Sequence, residues 1–205
     1  MDRRAFFRST LNTGVAGIAA GAAALVSATG ATSYLQAPMA HIPPVVQPPI
    51  TGFWTERYLT IPGGTPAPQT PFSSGQKDWI RLQDFAGRPT MVLFWATWCG
   101  ACVKELPVIN DMVGKEIDPS LMNVVAISID QASLARVNKF MRVKGWTNLA
   151  HFQDQSRLLF QEFGSGATPT VFLMDRYSRI IGGLKGMAHW RRPESLVVLD
   201  FMQYQ

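Results

Sequence analysis

From residue 90 onward the chain alternates between continuous apolar runs and stretches of amphipathic period. Thr90-Met91-Val92-Leu93-Phe94-Trp95-Ala96 is an unbroken β-prone run, the pattern of a strand buried on both faces. A helix is expected next, from Cys99 to about Ile117. Met122 to Ile129, with Val124, Val125, Ile127 and Ile129, reads as a second buried strand. Leu134, Val137, Phe140 and Met141 then mark one face of an amphipathic helix that Gly145 ends. A short helix, Ser156 to Phe163, stops at Gly164. Thr170 to Met174 and Arg179 to Leu184 flank the turn Asp175-Arg176-Tyr177-Ser178 and read as an antiparallel hairpin. The last helix starts near Pro193-Glu194, with proline in its first turn, and carries Leu196, Val197 and Phe201. A crossover between the first two strands makes them parallel. The predicted fold class is an α/β three-layer sandwich around a central mixed sheet, without internal repeats.

The N-terminal part follows another pattern. Arg3-Arg4-Ala5-Phe6-Phe7-Arg8 precedes an Ala/Gly-rich apolar stretch from Leu11 to Ala31, and no charged residue occurs between Arg8 and Glu56. This is a basic region followed by an apolar one, and the paired arginines before x-Phe-Phe resemble a twin-arginine export signal. An aspartate, Asp2, stands where Ser or Thr is more usual. Small residues at Ala28 and Ala31 suit a signal peptidase, but Leu11 to Ala28 is also just long enough to span a membrane. Residues 1–31 are therefore expected to be a signal peptide or a membrane anchor. Either way, the folded part would face an extracytoplasmic space, the periplasm. Prolines at 38, 43, 44, 48, 49, 62, 66, 68 and 71 exclude regular helix and central strand from the next segment. Residues 32–58 are expected to be a Pro-rich linker, with Phe53, Trp54 and Tyr58 docking as an edge segment. The globular domain is assigned to 59–205.

Composition narrows the function classes. The 205 residues are 47% hydrophobic and 16% charged, which suits a domain with a core and not a disordered chain. The formal charge of +5 is mild. No basic stripe interleaved with aromatics appears, which argues against nucleic acid as a partner. Lys139, Arg142 and Lys144 read as a solvated helix face.

The candidate chemistry lies in Trp98-Cys99-Gly100-Ala101-Cys102, which holds the chain's 2 cysteines. Three readings compete. A structural disulfide over three positions closes a tiny loop, where loop-closure stabilisation is smallest. A metal site needs about four ligands, and His41, His151 and His189 have no local ligand spacing to the cysteines. A redox pair fits the position. Cys99 would sit at the N-terminus of a helix leaving a buried strand, where free N–H groups and the helix dipole favour a thiolate. Cys102, one turn on, is placed to attack a mixed disulfide and release the product. Trp98 and Trp95 would give apolar surroundings and a surface for a partner. Pro107 removes one helical hydrogen bond and should kink the helix.

A second segment, Gly164-Ser165-Gly166-Ala167-Thr168-Pro169-Thr170, precedes the hairpin. With a Cys-x-x-Cys at the end of a buried strand, Pro169 is expected to be cis and to face the cysteines. Gly164 and Gly166 would let the chain make that approach.

Together these residues resemble the thioredoxin superfamily, and more narrowly the exported TlpA/ResA-like disulfide reductases related to those of cytochrome c maturation. The carriers are Phe94-Trp95-Ala96-Thr97-Trp98-Cys99-x-x-Cys102-x-x-Glu105-x-Pro107, then Thr168-Pro169-Thr170-x-Phe172-Leu173-x-Asp175, and the tail Gly186-Met187-Ala188-His189-Trp190. Leu82 to Pro89 matches the strand-loop entry, with Arg88-Pro89 departing from the usual Gly-Lys. The resemblance spans about Phe72 to Gln205. It implies a four- or five-stranded mixed sheet, Cys99 as exposed nucleophile and Cys102 as buried resolving thiol. Leu93 stands where thioredoxin carries a buried aspartate, so the chain differs from thioredoxin in its proton handling. Glu105 occupies the place of the family's acidic residue after the second cysteine, and the resemblance implies that it moves protons to or from Cys102.

The expected catalytic residues are thus Cys99, Cys102, Glu105 and Pro169, and Trp98, Gly100, Ala101 and Thr168 form the expected substrate contact. The implied activity is protein disulfide reduction, with no organic cofactor and no metal. Expected partners are disulfide-containing exported proteins, such as apocytochrome c or copper-site proteins of cytochrome oxidase assembly, and a membrane electron donor for re-reduction. Gly100-Ala101 does not settle the potential. A disulfide-donating oxidase therefore stays open, as does a copper-delivery module using the two cysteines with a methionine or His189.

Overall fold

The computed structural model describes residues 42–74 and 78–205. The expected leader, residues 1–31, lies outside the described residues, as do His41 and the first part of the expected linker. Ile42–Gln205 forms one compact unit.

In chain order the unit contains β1 (Tyr58–Pro66), β2 (Phe72–Ser73), β3 (Trp79–Ile80), β4 (Thr90–Trp95), α1 (Gly100–Met112) and β5 (Asn123–Ser128). Then come α2 (Leu134–Lys144), β6 (Ala150–Gln153), α3 (Leu158–Glu162), β7 (Thr170–Met174), β8 (Arg179–Lys185) and α4 (Pro193–Gln203). Short 3-10 turns cover Gly52–Trp54 and Leu82–Phe85. Among the described residues the strands form one sheet in the order β1-β8-β7-β4-β5-β6-β2-β3. It is mixed, as predicted: β4 runs parallel to β5 and antiparallel to β7.

Every residue of β4 and of β7 is buried, which requires cover on both faces of the sheet. α2 ends at Gly145, left-handed at φ 72°, whose N–H closes onto Arg142 and Met141. α1 passes through Pro107 and stops at Met112 instead of near Ile117, because Val113 turns extended and Gly114 adopts φ 83°. Ile117 stays buried by folding back beside Val113.

The sheet is wider than the four or five strands that the resemblance implies. β6 extends it beyond β5, and the two-residue strands β2 and β3 follow. β1 adds the opposite edge by pairing with β8, interrupted between Thr60 and Thr65 where Pro62-Gly63-Gly64 loop out. An edge strand tolerates prolines because one side of its ladder is unused.

Packing against the sheet begins upstream of residue 59. Trp54 is fully buried and its indole N–H donates to Ser195 Oγ at 2.9 Å. Its ring packs against Tyr58 and Trp190.

A close approach fixes β1 onto β8. A methyl group at Gly182 would run into the Tyr58 phenol and sit 2.6 Å from the Leu59 carbonyl oxygen. Gly182→Ala is therefore expected to destabilise the protein by roughly 1–3 kcal/mol, as overpacking does. Urea denaturation checks this, and an unchanged midpoint would mean that β1 does not lie where it is described.

Candidate active site

The register between β4 and β7 assembles the site. Phe94 pairs with Thr170. β4 ends one residue later, and β7 begins immediately after Pro169. The two segments singled out in the sequence are thus brought side by side at one end of the sheet. Cys99 Sγ lies 3.5 Å from the Thr168 carbonyl oxygen. The Thr168–Pro169 peptide is cis.

Cys99 is the N-cap of α1. Its backbone is extended, and its Sγ accepts the Cys102 N–H at 3.1 Å, as a serine oxygen does at other helix starts. The two sulfurs are joined in a disulfide, with Cα atoms 5.2 Å apart. Cys99 retains 8% exposure and Cys102 1%. Both residues are buried, so the expectation of an exposed Cys99 is corrected: the disulfide and the Thr168 carbonyl lie against it.

Both flanking turns are held by polar networks. Thr97 donates through its N–H (2.9 Å) and hydroxyl (2.6 Å) to the buried carboxylate of Asp130, which also accepts from Ser128 Oγ at 2.6 Å. Across the cleft Ser165 donates to Thr170 Oγ1 at 2.6 Å, and Thr170 donates to the Ala167 carbonyl at 2.7 Å. Gly164 and Gly166 take φ values of 60° and 67°, the left-handed conformations that this loop needs.

Trp98 is 62% exposed beside Cys99. The Arg157 guanidinium lies 5.8 Å from its ring centre, held by a bond from Nε to the Ile129 carbonyl. Gly100 is exposed, Ala101 and Thr168 are half-buried, and Pro169 is buried. Trp95 corrects the expectation that it shares this surface. It is the last residue of a strand covered on both faces, fully buried against Phe140 and Trp146.

Glu105 lies one helical turn after Cys102 and is 3% exposed. It is therefore not a solvated helical glutamate. Its Oε1 accepts the Ala188 N–H at 2.6 Å. Burial pushes its carboxyl up to about 7, against the amides of Ala188 and His189, the Trp190 indole and the Arg57 charge, which all favour the ionised form. The Trp190 N–H exerts this pull without meeting the geometry of a full hydrogen bond. His189 is exposed, with its ring edge-on to Phe53 at 4.8 Å. Among the described residues no group of three or more His, Cys, Asp or Glu could hold a metal ion.

Asp130, Arg157 and Arg57 went unmarked in the sequence. Asp130 follows a buried strand directly, but nothing in its spacing ties it to the cysteines. The two arginines reach the site from other elements.

A family profile described as the AhpC/TSA family matches residues 64–181. The chain is 28% identical over 107 residues to the thiol-disulfide oxidoreductase ResA of Bacillus thuringiensis (strain Al Hakam). That alignment covers 52% of this chain and 60% of the relative, so the chain spans less than two thirds of that relative's length. The structure is similar to a putative thiol:disulfide interchange protein DsbE from Chlorobium tepidum. There the TM-score is 0.56 and the identity 25%, over 68% of this chain and 93% of the other. It is also similar to a pneumococcal exposed lipoprotein thioredoxin (Streptococcus pneumoniae strain TIGR4), with TM-score 0.54, 19% identity, and 66% and 98% coverage. The fold is thioredoxin-like.

Burial of Glu105 gives stability a pH dependence of definite sign. Its folded-state pKa is raised, so the folded protein holds a proton that the unfolded chain releases from about pH 4.5 upward. This contribution is complete below the ordinary carboxyl pKa and is lost as pH rises through about 7. Relative to Glu105→Gln, the oxidised wild-type protein should lose on the order of 3 kcal/mol between pH 4 and pH 8. Parallel urea denaturation curves across this range would contradict the burial.

Proposed function

The chain belongs to the AhpC/TSA family, and from that premise we propose that it is a thiol–disulfide oxidoreductase that reduces disulfides in exported partner proteins. The observation carrying this reading is the N-cap: the Cys102 N–H donates to Cys99 Sγ at the start of α1. The same donor and the helix dipole would stabilise a Cys99 thiolate in the reduced protein.

The Cys99 thiolate attacks one sulfur of the substrate disulfide. A Cys99–substrate disulfide forms, and the other substrate sulfur leaves as a thiolate that takes up a proton. Cys102, deprotonated, then attacks Cys99 Sγ. The Cys99–Cys102 disulfide forms and the second substrate thiol is released. The substrate gains two electrons and two protons, and the cysteine pair loses two electrons. Glu105, one turn beyond Cys102 and held near neutrality, is the acceptor for the Cys102 proton. Trp98, Gly100, Ala101 and Thr168 receive the substrate chain beside Cys99, and Pro169 closes the far wall of the cleft.

The twin-arginine-like leader supports export to the periplasm, either as a soluble protein or tethered by residues 1–31. Among the described residues no helix is long and apolar enough to cross a membrane. In that oxidising space the pair would depend on a membrane donor of reducing equivalents. The resemblance to TlpA/ResA-like reductases supports apocytochrome c, or copper-site proteins of cytochrome oxidase assembly, as substrates.

Cys102→Ser should accumulate mixed disulfides on Cys99 when expressed in the exporting cell, and Cys99→Ser should accumulate none. Mass spectrometry of the trapped species identifies the substrate. The reduction potential should lie near the reducing end of the scale (~ −270 mV), and a value near ~ −120 mV would make the protein an oxidase instead. Glu105→Gln should slow the resolving step roughly 10²-fold at neutral pH, as loss of a proton acceptor does. An unchanged rate in stopped-flow single turnover removes the role given to Glu105.

A further inference from the structure

Residues 52–58 are joined to the loop that holds Glu105. The Trp54 indole N–H donates to Ser195 Oγ at 2.9 Å. Ser195 Oγ in turn reaches the Ala188 carbonyl at 3.0 Å and the His189 carbonyl at 3.1 Å. These are the two residues whose amides face the Glu105 carboxylate. Trp54 and Ser195 are both fully buried, so their bond is shielded from competing water. The Phe53 N–H donates to Glu194 Oε1 at 3.2 Å, and its ring braces His189, which stands at φ 52°. Arg57 donates to the Lys185 carbonyl at 2.9 Å while its guanidinium stacks 4.6 Å from the Phe53 ring centre. A Cβ at Gly186 would lie 2.7 Å from that guanidinium, so Arg57 rests against the loop.

We propose that Trp54, supported by Arg57, is the positioning residue of Glu105: through Ser195 it fixes the loop whose amides hold the carboxylate. The consequence for catalysis rests on the proton-transfer role given to Glu105 above. The placement itself does not.

The charged and titratable groups around Glu105 come from four elements. Cys102 and Lys104 belong to its own helix. His189, Arg191 and Arg192 belong to the loop, and with Lys104 they line a cavity of about 300 Å³ beside Glu105. Arg191 pairs with Asp111 and Glu116, and Arg192 pairs with Glu194 of α4. Arg57 comes from the N-terminal segment. It is exposed, so solvent weakens its field, and the buried Trp54–Ser195 bond carries most of the effect.

The test is a titration of the Glu105 carboxyl carbon by NMR in the oxidised protein, with Glu105→Gln providing the assignment. Trp54→Phe keeps an aromatic ring, though a smaller one, and loses the donor, and Ser195→Ala loses the relay. Each should raise the Glu105 midpoint by roughly 0.5–1 unit, because slackened amides stabilise the anion less. Arg57→Gln should raise it by a smaller amount, and Arg57→Lys should restore it. Ser195→Ala removes only a hydroxyl and breaks the same relay, so it stays readable should Trp54→Phe fail to fold, whereas the Arg57 variants report the field of the guanidinium. Midpoints within about 0.2 unit of wild type in Ser195→Ala, and in Trp54→Phe where it folds, would overturn the proposal. The pH profile of the resolving step separates the two ideas. A wild-type rate that ignores the Glu105 midpoint refutes its proton-transfer role, whereas shifted midpoints in the variants still establish the positioning.

Discussion

β4 can neither tilt nor slide. All six of its residues are buried, and its two edges are bonded to β5 and β7 in fixed register. Shifting a strand by one position would turn its side chains to the opposite faces, which a doubly buried strand cannot accommodate without repacking both layers. The place where β4 ends is therefore fixed, and so is the N-cap of α1, Cys99, four residues later. Antiparallel pairing sets the start of β7 against the same point. Cys99 and Pro169, 70 positions apart in the sequence, meet because two strands have one admissible alignment. Asp130 adds a polar lock by gripping the Thr97 amide and hydroxyl from the loop after β5.

The same rigidity explains Glu105. A carboxylate inside a packed domain must be neutral, paired or hydrogen-bonded. Here the balance is close: burial favours the protonated form, while two loop amides, an indole and a distant cation favour the anion. A group in such a balance changes charge in response to small displacements of its hydrogen-bond donors. A loop allowed to drift would give it no defined protonation state. The aromatic anchoring of residues 52–58 onto that loop is thus as much a part of the electrostatics as the carboxylate itself.

The sequence announced those parts of the fold whose pattern is local. β4, β5, α2, the β7–β8 hairpin and α4 all fall within a few residues of their apolar or amphipathic runs, because each buries a continuous face. β6 did not announce itself. Ala150-His151-Phe152-Gln153 has neither length nor alternation, and its pairing with β5 comes from tertiary context. β1 was obscured by Pro62 and Pro66, which are compatible only with an edge strand. At the site, Cys99, Cys102 and Pro169 were legible because each is a chemically unusual residue at a strand or helix boundary. Glu105 was legible only through a family resemblance, since an i+3 glutamate on a helix usually faces water. Trp95 was misread because an aromatic residue near a cysteine pair says nothing about which side of the sheet end it occupies. Trp54 and Arg57 act on a loop far from both in sequence, with Ser195 as the relay a few residues beyond it, and no spacing rule connects them.

Two groups bear on the outer sulfur in opposite senses. The Cys102 amide can only donate, so it favours Cys99 Sγ as an anion or as a bridged sulfur carrying lone pairs. The Thr168 carbonyl, 3.5 Å away, can only accept, so it favours a protonated thiol and disfavours a thiolate. The thiol would turn its proton to Thr168, and the thiolate would rely on the amide and the helix start. The poise of the pair follows from the difference between these terms and not from either alone. Gly100 and Ala101 contribute no side chain capable of a charged or hydrogen-bonded contact to that difference. The weight therefore rests on backbone geometry: where α1 begins, and how closely the loop before β7 approaches it. Both are set by the β4–β7 register, so under the proposed function the redox character of the two sulfurs would be governed by the alignment of two buried strands.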